Sequence, residues 1–95
     1  MNEFLVELYR SHTEVQAAVA DGERARAAAE VVASGGTAVR LARSIFVPED
    51  ETCFLLFEAE SVSAVRQAMA TAGLPCDEVH QTAGHPTSGT TSGGS

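Results

Sequence analysis

The chain has 95 residues, enough for one small domain, with 13 acidic and 6 basic side chains, all six of the latter Arg, and a net charge of −7. A pI near 4.7 argues against nucleic acid, whose phosphates require a basic patch, and against anionic membrane surfaces. No apolar run approaches the ~20 residues of a membrane span, and MNEFLVELYR lacks a basic stretch ahead of an apolar one, so a cytoplasmic chain without signal peptide is expected.

Phe4 to Tyr9, FLVELY, alternates: Phe4, Val6 and Leu8 share one side, Leu5, Glu7 and Tyr9 the other. That pattern predicts a strand with one apolar face. Ser11 and Thr13 then offer helix caps, and Val15, Ala18, Val19, Ala25, Ala29 and Val32 recur at roughly helical spacing. Asp21–Gly22 is compatible with either a break or a continuous helix, since a mid-helix Gly costs only ~1 kcal/mol; Gly35–Gly36 ends it. Val39 to Val47 predicts a second strand, with Val39, Leu41, Ile45 and Val47 on one face and Arg40, Ala42, Ser44 and Phe46 on the other. Pro48-Glu49-Asp50-Glu51 predicts a turn. Thr52 to Glu58 is apolar on both faces, as a central strand is. Ser61 or Ser63 caps a second helix whose buried stripe is Val62, Val65, Met69 and Ala72, stopped by Gly73-Leu74-Pro75. Cys76 to Gln81 predicts a short last strand.

The order β-α-β-β-α-β is the α+β, ferredoxin-like split βαβ unit. It implies a four-stranded antiparallel sheet of order 4-1-3-2 with two helices on one face. The domain is expected over residues 1–81. From Thr82 to Ser95, eleven of fourteen residues are Gly, Ser or Thr, which predicts a disordered tail that includes His85.

Cys53 and Cys76 form no CxxC pair, so an iron–sulfur cluster is not expected, and core packing is the simple reading of both. If they open the third and fourth strands, the first strand separates them by ~9–10 Å between Cα atoms. A disulfide needs ~7 Å or less, so neither a disulfide nor a shared metal is expected.

The stretch RSIFVPEDETCFLLFEAESVSAVRQAMATAGLP, with FLVELY before it, resembles a family of small, uncharacterised, mostly actinobacterial ferredoxin-like proteins that includes a nickel-binding member. The similarity covers roughly residues 3–81, and Ser44 to Phe54 is its most specific piece. The resemblance implies the split βαβ fold and a homodimer, and metal binding for some members; no ligand set is carried over by it.

Strand alternation gathers a candidate site on the sheet face without helices. Glu7 and Tyr9 of the first strand fall there, with His80 of the last strand and Cys76 and Glu78 in phase with it; Arg40 and Ser44 lie further across. Imidazole and carboxylate suit nickel. His80 with Glu7 therefore reads as a metal half-site completed across a dimer, and His12 as a further ligand. The simpler reading of the same residues is solvated or interface polarity, and Tyr9, Arg40 and Arg43 are the ligand-contacting candidates beside them. By strict alternation Arg43 faces the helices, where an unpaired charge is costly; a bulge, snorkelling or pairing with Glu58 would resolve this. The run Glu49-Asp50-Glu51 lacks the spacing of a calcium loop and reads as a solvated turn. No nucleophile elbow, phosphate loop or dinucleotide fingerprint is present.

Taken together, the residues predict a cytosolic homodimeric binding module for a transition metal such as nickel. The third strand carries this expectation of a dimer, because helices cover only one of its two apolar faces. Two alternatives remain: a dimeric α/β-barrel-type enzyme (a cofactor-free monooxygenase or isomerase) with a pocket between sheet and helices, and an interaction subunit without a ligand.

Overall fold

The computed structural model describes residues 1–82. Strand β1 (Asn2–Tyr9) leads into helix α1 (Val15–Ser34), then β2 (Val39–Val47), a one-turn 3-10 segment (Pro48–Asp50), β3 (Thr52–Ala59), helix α2 (Val62–Ala72) and β4 (Val79–Gln81). The four strands form one antiparallel sheet in the order β2-β3-β1-β4, which is the expected 4-1-3-2. Residues 83–95 of the expected tail, with His85, lie outside the described residues. Thr82 does not hang free of the sheet: its amide donates to the Glu3 carbonyl (3.0 Å) and its hydroxyl to Glu3 Oε1 (3.1 Å).

Alternation along β1 and β3 decides what is buried. Phe4, Val6 and Leu8, with Cys53, Leu55, Phe57 and Ala59, lie beneath the helices at 5 % exposure or less. Leu5, Phe54 and Leu56 point to the opposite, open face and are half-buried. From α2 the layer above receives Ala64, Val65, Ala68, Met69 and Ala72. Ser61 caps that helix by accepting from the Ala64 amide (3.2 Å). Gly73 closes it in the left-handed region (φ 72°), with its own amide on Ala70 O and that of Leu74 on Met69 O.

Helix α1 runs unbroken through Asp21–Gly22. Its buried face is Ala18, Asp21, Gly22, Ala25, Ala28 and Ala29; of the expected stripe Ala18, Ala25 and Ala29 are buried and Val32 packs against the core, whereas Val15 and Val19 are exposed. Small residues allow the helix to approach the sheet closely. At Gly22 the approach is tight enough that a Cβ would stand 2.6 Å from Ser44 Oγ. Neither Ser11 nor Thr13 is the cap: Glu14 occupies that position, makes no side-chain cap bond, and its carboxylate instead accepts from the Ser11 amide (2.8 Å).

One bulge reorders β2. Its register against β3 shifts between Leu41 and Arg43, so that Leu41 opposes Phe57 and Arg43 opposes Leu56. A single extra residue inverts every later side chain. Arg43 and Ile45 therefore turn to the open face, while Ser44 and Phe46 turn toward the helices, the reverse of strict alternation. The charge at Arg43 is never buried. Glu58 does not pair with it either, but with Arg40, directly opposite in the register.

Candidate functional site

The last strand pairs with β1 only from Phe4 to Val6, whereas β1 continues along β3 to Tyr9. The shortfall leaves a notch at one end of the sheet. Glu7, Leu8 and Tyr9 form one wall, Asp77, Glu78 and His80 another, and the end of the β2–β3 hairpin, Asp50 to Thr52, the third. The cleft has a volume of about 470 Å³. Five carboxylates line it (Glu7, Asp50, Glu51, Asp77 and Glu78) together with one imidazole and one phenol. A cleft of one sign concentrates counter-ions, here cations.

Both candidate histidines are held by carboxylates at this end. His80 opposes Leu5 in the register, which sets it on the open face as alternation predicts. Its Nε2 lies 3.2 Å from Glu78 Oε1, leaving Nδ1 without an ion-pair partner among the described residues. His12, just beyond β1, lies with Nδ1 3.2 Å from Glu51 Oε2, and its backbone amide donates to the same oxygen at 3.3 Å. Those two bonds, the side-chain one first, hold the Glu51 carboxyl below the usual carboxylate range. Glu51 can serve His12 because it adopts left-handed backbone (φ 51°) directly after the 3-10 turn. Its carbonyl also accepts from the Arg10 amide (3.0 Å), fastening the hairpin end to the end of β1.

Of the residues singled out from sequence, Glu7, Tyr9 and His80 thus line one cleft, and His12 borders it through Glu51. Arg40 and Arg43 do not join them. Arg40 is exposed at the far side of the sheet in an ion pair with Glu58 (2.7 Å). Cys76 is not in phase with His80: it precedes β4 and packs against the core, with its carbonyl accepting from Arg66 Nη1 (3.1 Å). Both cysteines are free, and burial pushes both thiols up, away from the reactive thiolate form. No group of three or more His, Cys, Asp or Glu among the described residues is arranged to enclose a metal ion. The described residues of the chain supply imidazole–carboxylate pairs, donor types that suit nickel, but not a complete shell.

Two features lie beyond what strand alternation predicts. The acidic turn, expected to be solvated, gives the cleft two of its carboxylates, Asp50 and Glu51; Thr52 pairs with Tyr9, which brings the hairpin end to the end of β1. The second is Asp21, buried in α1 and clasped by Arg10, whose Nε donates to Oδ2 at 2.6 Å and Nη2 to Oδ1 at 2.9 Å. That pairing raises the Arg10 guanidinium above its already high ordinary value. Arg24 approaches Asp21 at 3.8 Å and donates to the Ala72 carbonyl (2.6 Å) at the end of α2. The network ties the end of β1 to both helices. The space between sheet and helices, where an α/β-barrel-type enzyme would hold its pocket, is occupied by core side chains such as Phe4, Leu55, Phe57 and Met69. Among the described residues no helix is long and apolar enough to cross a membrane.

The comparisons with known proteins agree with this architecture. No curated protein matches the chain. The crystal structure of SCO4226 from Streptomyces coelicolor A3(2) superposes with a TM-score of 0.61 at 23 % sequence identity, covering 88 % of this chain and 99 % of that one. At that identity the likeness speaks to the fold. The family profile described as nickel responsive protein SCO4226-like matches residues 10–82, more than half of the chain. By that match the protein is a member of the nickel-responsive SCO4226-like family.

Proposed function

We propose that the protein is a homodimeric metal-binding module that takes up a divalent transition-metal cation, nickel foremost, at the acidic cleft between β1, the β2–β3 turn and β4. The observation that carries this reading is the meeting of five carboxylates with His80, beside the His12–Glu51 pair, at one sheet end. The family description, nickel responsive, favours nickel among the cations such a cleft would attract. Imidazole and carboxylate together are donors that nickel accepts. Each carboxylate fixes its imidazole's orientation, as outer-shell partners of metal-bound histidine do. A protomer that lacks a full shell is completed by water or by a second copy.

The homodimer rests on the open face of the sheet. Leu5, Phe54, Leu56 and Ile45 lie there without a covering layer, and Ile45 is 41 % exposed. An apolar sheet face of this kind is buried by packing on a second sheet ~10 Å away.

Calorimetric titration of nickel into untagged protein purified without chelating resin tests the metal reading. Binding should weaken ~10-fold or more in His80→Ala, and further in His80→Ala/His12→Ala, while circular dichroism stays unchanged. Equal affinity in wild type and double variant would sink it.

A further inference from the structure

Glu51 stands where backbone geometry argues against it. Among the described residues it is the only non-glycine with positive φ (51°), at the left-handed position that ends the Pro48–Asp50 turn. Glycine or asparagine suits that position, and a longer side chain there is uncommon. Both of its backbone groups are anchored: its amide donates to the Pro48 carbonyl and its carbonyl accepts from the Arg10 amide, each at 3.0 Å. A residue held in a costly conformation directs attention to what its side chain does there. The Glu51 carboxylate reaches across to His12 and takes two contacts on one oxygen, the backbone amide at 3.3 Å and ring Nδ1 at 3.2 Å.

The second contact decides the chemistry of the ring. An ionised carboxylate only accepts, so a neutral His12 meets it with the proton on Nδ1, which leaves the lone pair on Nε2. The amide bond to the same oxygen holds the carboxylate in place for this. His80 is arranged the other way. It meets Glu78 through Nε2, at 3.2 Å, so its lone pair is on Nδ1. Free histidine favours the proton on Nε2, which makes His80 the ordinary case and His12 the inverted one. The His12 ring is exposed, and its Nε2 is open to a ligand. Resting on the metal reading above, we infer that Glu51 is a positioning residue: it inverts the His12 tautomer, so that His12 offers a divalent cation its Nε2 while His80 offers Nδ1.

Long-range proton–nitrogen NMR correlation on the isotope-labelled, metal-free chain at about pH 8, above the ordinary titration range of histidine, reads the tautomers directly. His12 should carry its proton on Nδ1 and His80 on Nε2. Added zinc, a diamagnetic stand-in for nickel that also accepts imidazole, should shift Nε2 of His12 and Nδ1 of His80. Glu51→Gly keeps the left-handed backbone without strain and removes the acceptor; it should return His12 to the Nε2–H form and weaken nickel binding in calorimetry ~10-fold or more. Glu51→Gln still accepts both donors through its amide oxygen, so the inverted tautomer should persist and affinity stay within about 3-fold of wild type. Circular dichroism should match wild type in both variants. Either histidine protonated on the other nitrogen, or zinc held at Nδ1 of His12, overturns the inference while leaving nickel binding intact. So does a Glu51→Gln chain that keeps the tautomer yet loses affinity as Glu51→Gly does, because Glu51 is then itself a ligand. Nickel that fails to bind wild type overturns the metal reading, and the donor assignment with it.

Discussion

Replacing Arg10 by Met removes both hydrogen bonds from the Asp21 carboxylate, whose side chain is 2 % exposed, while leaving that charge inside α1. Breaking a buried pair from one side costs about 3–5 kcal/mol, because the remaining ion cannot recover its hydration. Arg24, 3.8 Å away and half-exposed, offsets part of this, so the lower end, about 3 kcal/mol, is expected. For a domain of this size, whose total stability is about 4–12 kcal/mol, that is a large share. It corresponds to a fall in Tm of about 12–24 °C. Urea unfolding at pH 7, followed by circular dichroism, reads it as a lower midpoint at unchanged slope. The companion Arg10→Met/Asp21→Ala should regain at least about half of the loss, since no charge is then stranded. A loss below about 1 kcal/mol in Arg10→Met would mean that the pair behaves as a surface ion pair, and the account of Asp21 as a buried, clasped charge fails.

Three further outcomes follow from the same structure. Gly22→Ala would ordinarily gain ~1 kcal/mol of helix propensity, but its Cβ would meet Ser44 Oγ at 2.6 Å and Ser44 Cβ at 3.1 Å. A net loss of about 1 kcal/mol is expected, shrinking in a Ser44→Ala background; a stabilised Gly22→Ala would contradict the close packing of α1 on β2. Ser61→Ala should cost about 1 kcal/mol through the lost cap on α2, measured by the same urea titration, and Ser63→Ala far less. The Glu51 carboxyl is held below its unfolded value by His12, so it stabilises the fold above the unfolded carboxylate range, and that stability is lost as pH falls through the lowered folded value. Thermal melts of wild type and Glu51→Gln should therefore differ near pH 6 and converge in acid; a gap that widens in acid refutes the His12–Glu51 bond.

Strand alternation made the core of this protein readable from its sequence. Phe4, Val6 and Leu8 against Leu5, Glu7 and Tyr9, and the doubly apolar β3, dictate which side chains lie under helices, because a strand can present only alternate residues to one face. Gly73 likewise announces one end of α2 and the serines at 61 and 63 the other, since left-handed backbone and an orphan amide each demand a particular residue type; the structure selects Ser61. Chain order then limits the topology to the split βαβ unit, and with it Glu7, Tyr9 and His80 fall near one another. Other features depended on distances between elements that local pattern does not encode. The β2 bulge spared Arg43 from burial and exchanged the faces of Ser44 and Ile45, because one unpaired residue shifts the register of all that follow. In α1, Val15 and Val19 of the expected stripe are exposed while Asp21, Gly22 and Ala28 join its alanines on the buried face, where the helix comes close to β2 at Gly22. The length of β4 was equally invisible: by pairing with only three residues of β1 it opened the notch, and only folding the hairpin end against that notch turned an ordinary acidic turn into a wall of the cleft.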